Sequence, residues 1–388
     1  MLSVNKRVCC SRVIDLEAGG DLILIDALDP IRILQRLPVS ETRIETHPRT
    51  GEKVYMNAGF MEGGFVPFGA RRDDGSSHPH AGTGFSLIVD HSYPVKLETQ
   101  EDTHLDLKSD VYTRVRIQQL TFDGKILQIT SEETFEETDL FPGTRCLGLG
   151  LSAAIPDGDD LVVGTNFGSF AHWMSGFTRW QRLDGRWQLT DFRVVDPHGM
   201  EPSLVRDPID DSLLMGSRAS ADMTTPTALA PTIYRSTDRG ITWKRIFAKR
   251  ILEGWNPVVL NRALDGTLYF ATNRHHLPLV HRLAKRNMLW AYPVADDRTD
   301  TLEPILIRDG PTEFGPPPTP NSTWRLDHPI GTNIRLADGV WRHVLAYRGL
   351  DDAEMYTTAG PSDRTGTYLE EVVSLGEPLP IWKFECCS

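Results

Sequence analysis

Ser236-Thr237-Asp238-Arg239-Gly240-Ile241-Thr242-Trp243 is the stretch on which the fold turns. The short side chains of Ser236 and Asp238 can accept hydrogen bonds from backbone amides a few residues on. Gly240 can take a positive φ that other residues adopt only at a cost, and Trp243 brings a large apolar surface. A segment built this way closes a tight turn between two antiparallel strands, with the Trp expected to pack between neighbouring sheets. The segment carries no chemistry of its own.

Segments of like design recur on either side of it. Leu213-Leu-Met-Gly-Ser-Arg218 leads into the turn, and Thr267-Leu-Tyr-Phe-Ala-Thr-Asn-Arg274 has the same form, followed by His281–Trp290 as a degraded hairpin. Val344–Arg348, Phe65–Arg71 and Leu161–Asn166 are three more strands that end in an open polar loop. They repeat at a spacing of about fifty residues, the length of a four-stranded blade with its loops. The Asp-Gly turn inside Val115–Thr130 suggests one further blade, and Asp21–Asp26 another. The expected fold is therefore all-β, a β-propeller of seven blades, with six or eight as alternatives. One domain over residues 1–388 would be closed by the N- and C-terminal strands. Gly315–Pro320 cannot be a central strand, because its prolines lack ladder donors, and it reads as an excursion over one face.

With 40% hydrophobic and 24% charged residues the chain can bury a large core. The net charge of −12 argues against a nucleic-acid partner while leaving room for a local basic pocket. Acids at 15, 17, 21 and 26 interrupt the early apolar runs, so no signal peptide is read. No run is long enough for a membrane span. The chain reads as cytoplasmic, or secreted if a leader has been removed; its oligomeric state is not legible. Cys9-Cys10 and Cys386-Cys387 stand at the two ends, where a closing blade would allow a disulfide between them, with free thiols as the alternative.

Ser236-x-Asp238-x-Gly240-x-x-Trp243 resembles the Asp-box of sialidase-type propellers. The resemblance implies that the turn lies between outer strands, on the face away from an active site. The ends of the preceding strands would then meet at the opposite face, where Arg71, Arg218, Arg274 and Arg348 would bind an anionic oligo- or polysaccharide through bidentate contacts. Solvation, or ion pairing with acids such as Asp73, Asp74 and Asp351, is the alternative.

Ser76-Ser-His78-Pro-His80-Ala-Gly82-Thr-Gly84-Phe85 follows Arg71 and is assigned to the same face. Two imidazoles held stiffly around a proline suit proton transfer near neutrality. A structural loop whose histidines bond the backbone is one rival; a metal site with His275 or His276 is another. Asp157, Asp159 and Asp160 around Gly158 resemble a cation loop but lack the remaining ligands, and they read as a turn. His343, Tyr347 and Tyr356 fit either a funnel lining or the core.

The His-Pro-His-Ala-Gly-Thr-Gly loop, the repeats and the Asp-box together resemble the β-propeller polysaccharide lyases that act on ulvan and on rhamnose–glucuronate linkages. That resemblance implies β-elimination at a 4-linked uronic acid, with His78 and His80 as catalytic residues and no catalytic metal or required cofactor. A structural calcium or zinc is left open. A sialidase-type exo-hydrolase is the alternative, although no Arg-Ile-Pro element or Tyr–Glu pair is found, and a non-catalytic glycan-binding propeller is the second.

Overall fold

The computed structural model describes residues 20–25, 33–40, 43–66, 75–93, 95–96, 101–102, 112–136, 140–152, 154–169, 172–219, 232–248, 257–273, 287–310, 312, 324–335, 341–351, 366–373 and 377–384. These residues form an all-β structure in which every paired strand is antiparallel to its neighbour. The chain divides into two compact units, Met1–Ile25 with Ile33–Pro197 and Asp26–Arg32 with His198–Ser388.

In the first unit β1 (Gly20–Ile25) pairs with β2 (Ile33–Ser40). There follow β3 (Arg43–Thr46), β4 (Lys53–Phe65), β5 (Thr83–Tyr93), the short pair β6 (Val95–Lys96) and β7 (Glu101–Asp102), β8 (Thr113–Phe122) and β9 (Leu127–Glu136). One sheet runs in the order β3-β4-β5-β8-β9. The next contains β10 (Cys146–Leu149), β11 (Ile155–Asp157), β12 (Asp160–Ser169), β13 (His172–Leu183) and β14 (Arg186–Asp196), with both β10 and β11 paired to β12.

The second unit has three four-stranded sheets. The first is β15 (Gly199–Arg206), β16 (Leu213–Ala219), β17 (Thr232–Ser236) and β18 (Lys244–Ala248); the second is β19 (Val259–Arg262), β20 (Leu268–Asn273), β21 (Met288–Pro293) and β22 (Ile305–Asp309). The third is β23 (Trp324–Arg335), β24 (Trp341–Asp351), β25 (Gly366–Val373) and β26 (Glu377–Phe384).

Each of the five larger sheets is a meander of strands that follow one another along the chain, the unit from which propeller blades are made. Four of the segments picked out by repetition lie on β12, β16, β20 and β24, each second in its sheet's main path. One other was given a blade that the structure does not grant. Val115–Thr130 is the β8–β9 hairpin, but β8 is hydrogen-bonded to β5, so the hairpin completes the sheet that Phe65 already belongs to. Asp21–Ile25 lies in β1, whose partner among the described residues is β2. Among the described residues there are thus five larger sheets and the two-stranded pairs β1–β2 and β6–β7.

Side-chain parity builds the core. Phe85, Leu87 and Val89 alternate along β5 and meet Leu161 and Val163 of β12, with Trp180 and Trp187 filling the layer. In the second unit Leu268 and Phe270 face Leu214 and Ile233, whereas Tyr269 and Ala271 face Leu326, Leu345 and Tyr347. Consecutive residues of β20 therefore serve two different core layers, which is how one sheet stacks between two others. Buried polar groups join the first strands: Ser203 Oγ accepts the Leu260 amide at 2.7 Å, and Asn261 Oδ1 accepts the Gly331 amide at 2.7 Å.

Candidate active site

The Asp-box turn connects β17 to β18. Ser236 Oγ accepts the Gly240 amide at 2.7 Å, Asp238 Oδ1 accepts the Thr242 amide at 2.9 Å, and Gly240 has φ +91°. Bonds from the Thr242 hydroxyl and amide and from Ser236 lower the Asp238 pKa to about 2. Trp243 departs from the reading above: it is half-buried, and its indole N–H donates to the Gly240 carbonyl at 3.0 Å, so it closes its own turn.

In a meander, the turns joining strands one to two and three to four share one end of the sheet. The Asp-box therefore lies beside the β15–β16 turn, and the start of β15 and the end of β16 lie at the other end. Arg218 is there, paired across the ladder with Met200. It is buried, and its Nη1 donates to Glu201 Oε2 at 2.5 Å; Glu201 is buried as well. The other carboxylate oxygen, Oε1, lies 3.7 Å from Nε2 of His328, on the first strand of another sheet of the same unit.

Both partners sit on irregular backbone. The β15–β16 register breaks between Met200 and Ser203, and Glu201 has φ +49°; the β23–β24 register breaks between Asp327 and Ile330, and His328 has φ +55°. Bulges redirect side chains, and non-glycine residues at positive φ persist only where their surroundings hold them. A carboxylate, a guanidinium and an imidazole are thus brought together at the strand ends away from the turns. The sequence reading missed Glu201 and His328, though both carry a signal. Each precedes a proline inside a strand, Glu201-Pro202 and His328-Pro329, and a proline there removes a ladder donor and marks a bulge.

The His loop belongs to the first unit. The turns β11–β12 and β13–β14 mark one end of their sheet. Near that end Trp187, the second residue of β14, donates its indole N–H to the Gly84 carbonyl at 2.9 Å. The His80 ring packs 5.9 Å from the Trp187 ring, and His78 Nε2 lies 3.4 Å from the carbonyl of Gly158 in the β11–β12 turn and 3.9 Å from Asp159. In its own sheet, of order β3-β4-β5-β8-β9, the β4–β5 loop shares an end with the β8–β9 turn. The His78 ring is also occupied locally, Nδ1 accepting the His80 amide at 3.2 Å, which places the proton on Nε2.

Of the other arginines, Arg71 and Arg274 lie outside the described residues, as do Cys9, Cys10, Cys386, Cys387, His275, His276, Tyr356 and Gly315–Pro320. Arg348 belongs to β24, opposite Asp327 in the ladder. Asp157 and Asp160 both receive Arg179 Nη1, at 2.5 and 3.0 Å, and Gly158 has φ +67°, so this acidic segment is an ion-paired turn. Tyr347 is core. His343 is buried with Nε2 at 2.6 Å from the Tyr269 hydroxyl, and burial lowers its pKa to about 4 while pushing the Tyr269 phenol upward. Arg116 bonds Asp90 at 2.7 and 3.0 Å within a network that takes in Glu132, Arg114 and Glu45. The thiol of Cys146 is buried and raised to about 12, far from a reactive thiolate.

The chain matches no protein-family model and no curated protein sequence. Similar solved structures include a mutant of Trypanosoma rangeli sialidase with trans-sialidase activity, at 12% identity and a TM-score of 0.41, covering 90% of this chain and 51% of that one. An endo-arabinase from Bacteroides thetaiotaomicron is 12% identical over 58% of this chain and 79% of its own, with a TM-score of 0.38. A mutant levansucrase of B. megaterium is 9% identical over 89% of this chain and 88% of its own, with a TM-score of 0.46. The chain spans about half the length of the sialidase structures it resembles.

Proposed function

We propose that this protein is a propeller-type carbohydrate-active enzyme that hydrolyses a glycosidic bond, with Glu201 as the working carboxylate. The observation that carries the reading is the convergence of Glu201, Arg218 and His328 on bulged strand ends. Glycosidic cleavage uses two carboxyl groups flanking the scissile bond, one as acid and one as base or nucleophile, and Glu201 is read as one of the two. Arg218 holds one oxygen of Glu201, leaving the other turned toward an imidazole that can exchange a proton. Arg218 is a positioning residue in this scheme. The glycan substrate class comes from the Asp-box resemblance, and it agrees with the names of the similar structures.

Elimination at a uronate is less well supported by the geometry. That chemistry assigned Arg218 to the substrate carboxylate, but Arg218 Nη1 is paired with Glu201. It also assigned proton transfer to His78, whose Nδ1 is engaged within its own loop. Incubation with panels of neutral and uronate-containing oligosaccharides separates the two. New reducing ends without an unsaturated uronate chromophore, lost in Glu201→Gln, support hydrolysis. A chromophore lost in His78→Ala or His80→Ala would restore the lyase, and glycan binding without turnover would favour a binding propeller.

A further inference from the structure

We propose that Asn261 and Asn273 are positioning residues that hold the His328 imidazole against Glu201, an inference that rests on the reading of Glu201 as the working carboxylate. β15, which carries Glu201, β19, and β23, which carries His328, each stand first in the order of their sheets. A strand in that place has a ladder on one side and, on the other, a row of backbone amides and carbonyls that need partners from elsewhere. β19 packs against both of the other two strands, and its sheet supplies such partners from side chains.

On β23 the bulge runs from Asp327 to Ile330, three residue steps facing the two from Arg348 to Ala346 on β24. Just before it the Leu326 carbonyl accepts the side-chain amide of Asn273 at 2.6 Å, and just after it the Gly331 amide donates to Asn261 Oδ1 at 2.7 Å. Successive residues of a regular strand turn their backbone groups to opposite edges, so Leu326 and Gly331, an odd number of steps apart, would face opposite ways. The extra residue of the bulge brings both onto one edge. The two bonds therefore fit the bulged strand and would not fit a straight one. Each asparagine is anchored in its own sheet, Asn273 by donating to the Met288 carbonyl at 2.9 Å and Asn261 by donating to the Val259 carbonyl at 3.1 Å. Both are almost wholly buried, so water cannot replace a lost bond. The β15 bulge is tied in the same way: Ser203, two residues after Glu201, accepts the amide of Leu260, the neighbour of Asn261. Consecutive residues of β19 thus fix the strands of the carboxylate and of the imidazole, whose facing atoms lie 3.7 Å apart. Proton exchange between two such groups depends on that spacing.

The test follows the imidazole itself by NMR of the intact, histidine-labelled protein, with the His328 signal identified by its loss in His328→Ala. The pH midpoint of that signal is compared between protein with Glu201 and protein with Glu201→Gln, and the difference measures how strongly the imidazole senses the carboxylate. Asn261→Ala and Asn273→Ala should each shrink the difference to about half or less, because a charge interaction weakens as the separation grows. For the most rapidly cleaved oligosaccharide of the panels above, kcat should fall about tenfold with KM changed less than about twofold, and should fall no further when His328→Ala is already present. Ser203→Ala, which loosens the same arrangement from the Glu201 side, replaces an asparagine variant that fails to fold. Variants that lose stability while the midpoint difference keeps its wild-type size would overturn the proposal, as would a loss of kcat that persists in full beside His328→Ala. A wild type in which Glu201→Gln leaves the His328 midpoint unmoved would overturn it too. A wild type that shows the difference but cleaves nothing would instead overturn the assignment of Glu201 to hydrolysis, and leave the asparagines as the groups that set the His328 position.

Discussion

The β4–β5 loop and the cluster at the starts of β15 and β23 both present histidine beside a carboxylate, and they differ in what the imidazole is asked to do. In the loop, His78 accepts the amide of His80 and points its other nitrogen at the Gly158 carbonyl, with Asp159 3.9 Å away on the half-exposed side. The ring is part of the turn that holds it. In the cluster, His328 lies 3.7 Å from a buried Glu201 whose far oxygen is held by Arg218, and the backbone beneath both Glu201 and His328 is forced to positive φ. A loop that satisfies itself lowers its own energy; a cluster held on irregular backbone has to be supported by what surrounds it. The second condition is the one expected where chemistry has been built in.

Glu201→Gln should break the comparison most sharply if it is wrong. Glutamine preserves an acceptor for Arg218 while removing the ionisable group, so release of reducing ends should fall by about 10³-fold or more. His78→Ala and His80→Ala should retain activity within about threefold; a loss comparable to that of Glu201→Gln would reverse the assignment of the two regions. Arg218→Met should be next in size. It strands a buried carboxylate, at about 3–5 kcal/mol in denaturant unfolding, and adding Glu201→Gln should recover part of that stability without recovering activity.

A third histidine sharpens the contrast through pH. His343, sealed against Tyr269, has its pKa lowered by burial from 6.5 to about 4. The unfolded chain therefore binds more protons than the native one between these values, and stability is full above the unfolded pKa and lost as pH falls toward the native one. Unfolding free energy should drop by up to about 3 kcal/mol over that interval, and His343→Gln should flatten the profile if the protein folds. A profile unchanged by the substitution would mean that another group titrates. The smallest effect belongs to the loop: His78→Ala removes one hydrogen bond to the His80 amide and should cost about 1 kcal/mol, measured by chemical denaturation.

Much of the architecture was legible along the chain. The Asp-box turn has the bonds that Ser236, Asp238 and Gly240 implied, and four repeated segments fall on the second strand of their sheets. Local sequence could determine these because turn chemistry and period-2 alternation act within a few residues. Local reasoning failed where a pattern fits more than one partner, near or far in sequence. Val115–Thr130 has the pattern of a hairpin wherever it pairs, and only the ladder to β5 attaches it to an existing sheet. Trp243 is equally apolar whether it fills a core or caps its own turn.

The site follows the same division. Glu201-Pro202 and His328-Pro329 announce in the sequence that two strands must bulge, because proline cannot donate to a ladder. That Glu201 then meets Arg218, seventeen residues on, and His328, on a strand of another sheet, is decided by the packing of sheets. Composition and local chemistry determined an all-β chain with an Asp-box turn. Tertiary structure decided which arginine is committed to a carboxylate and which imidazole to its own loop, because a charge takes its role from the partners that burial leaves within reach.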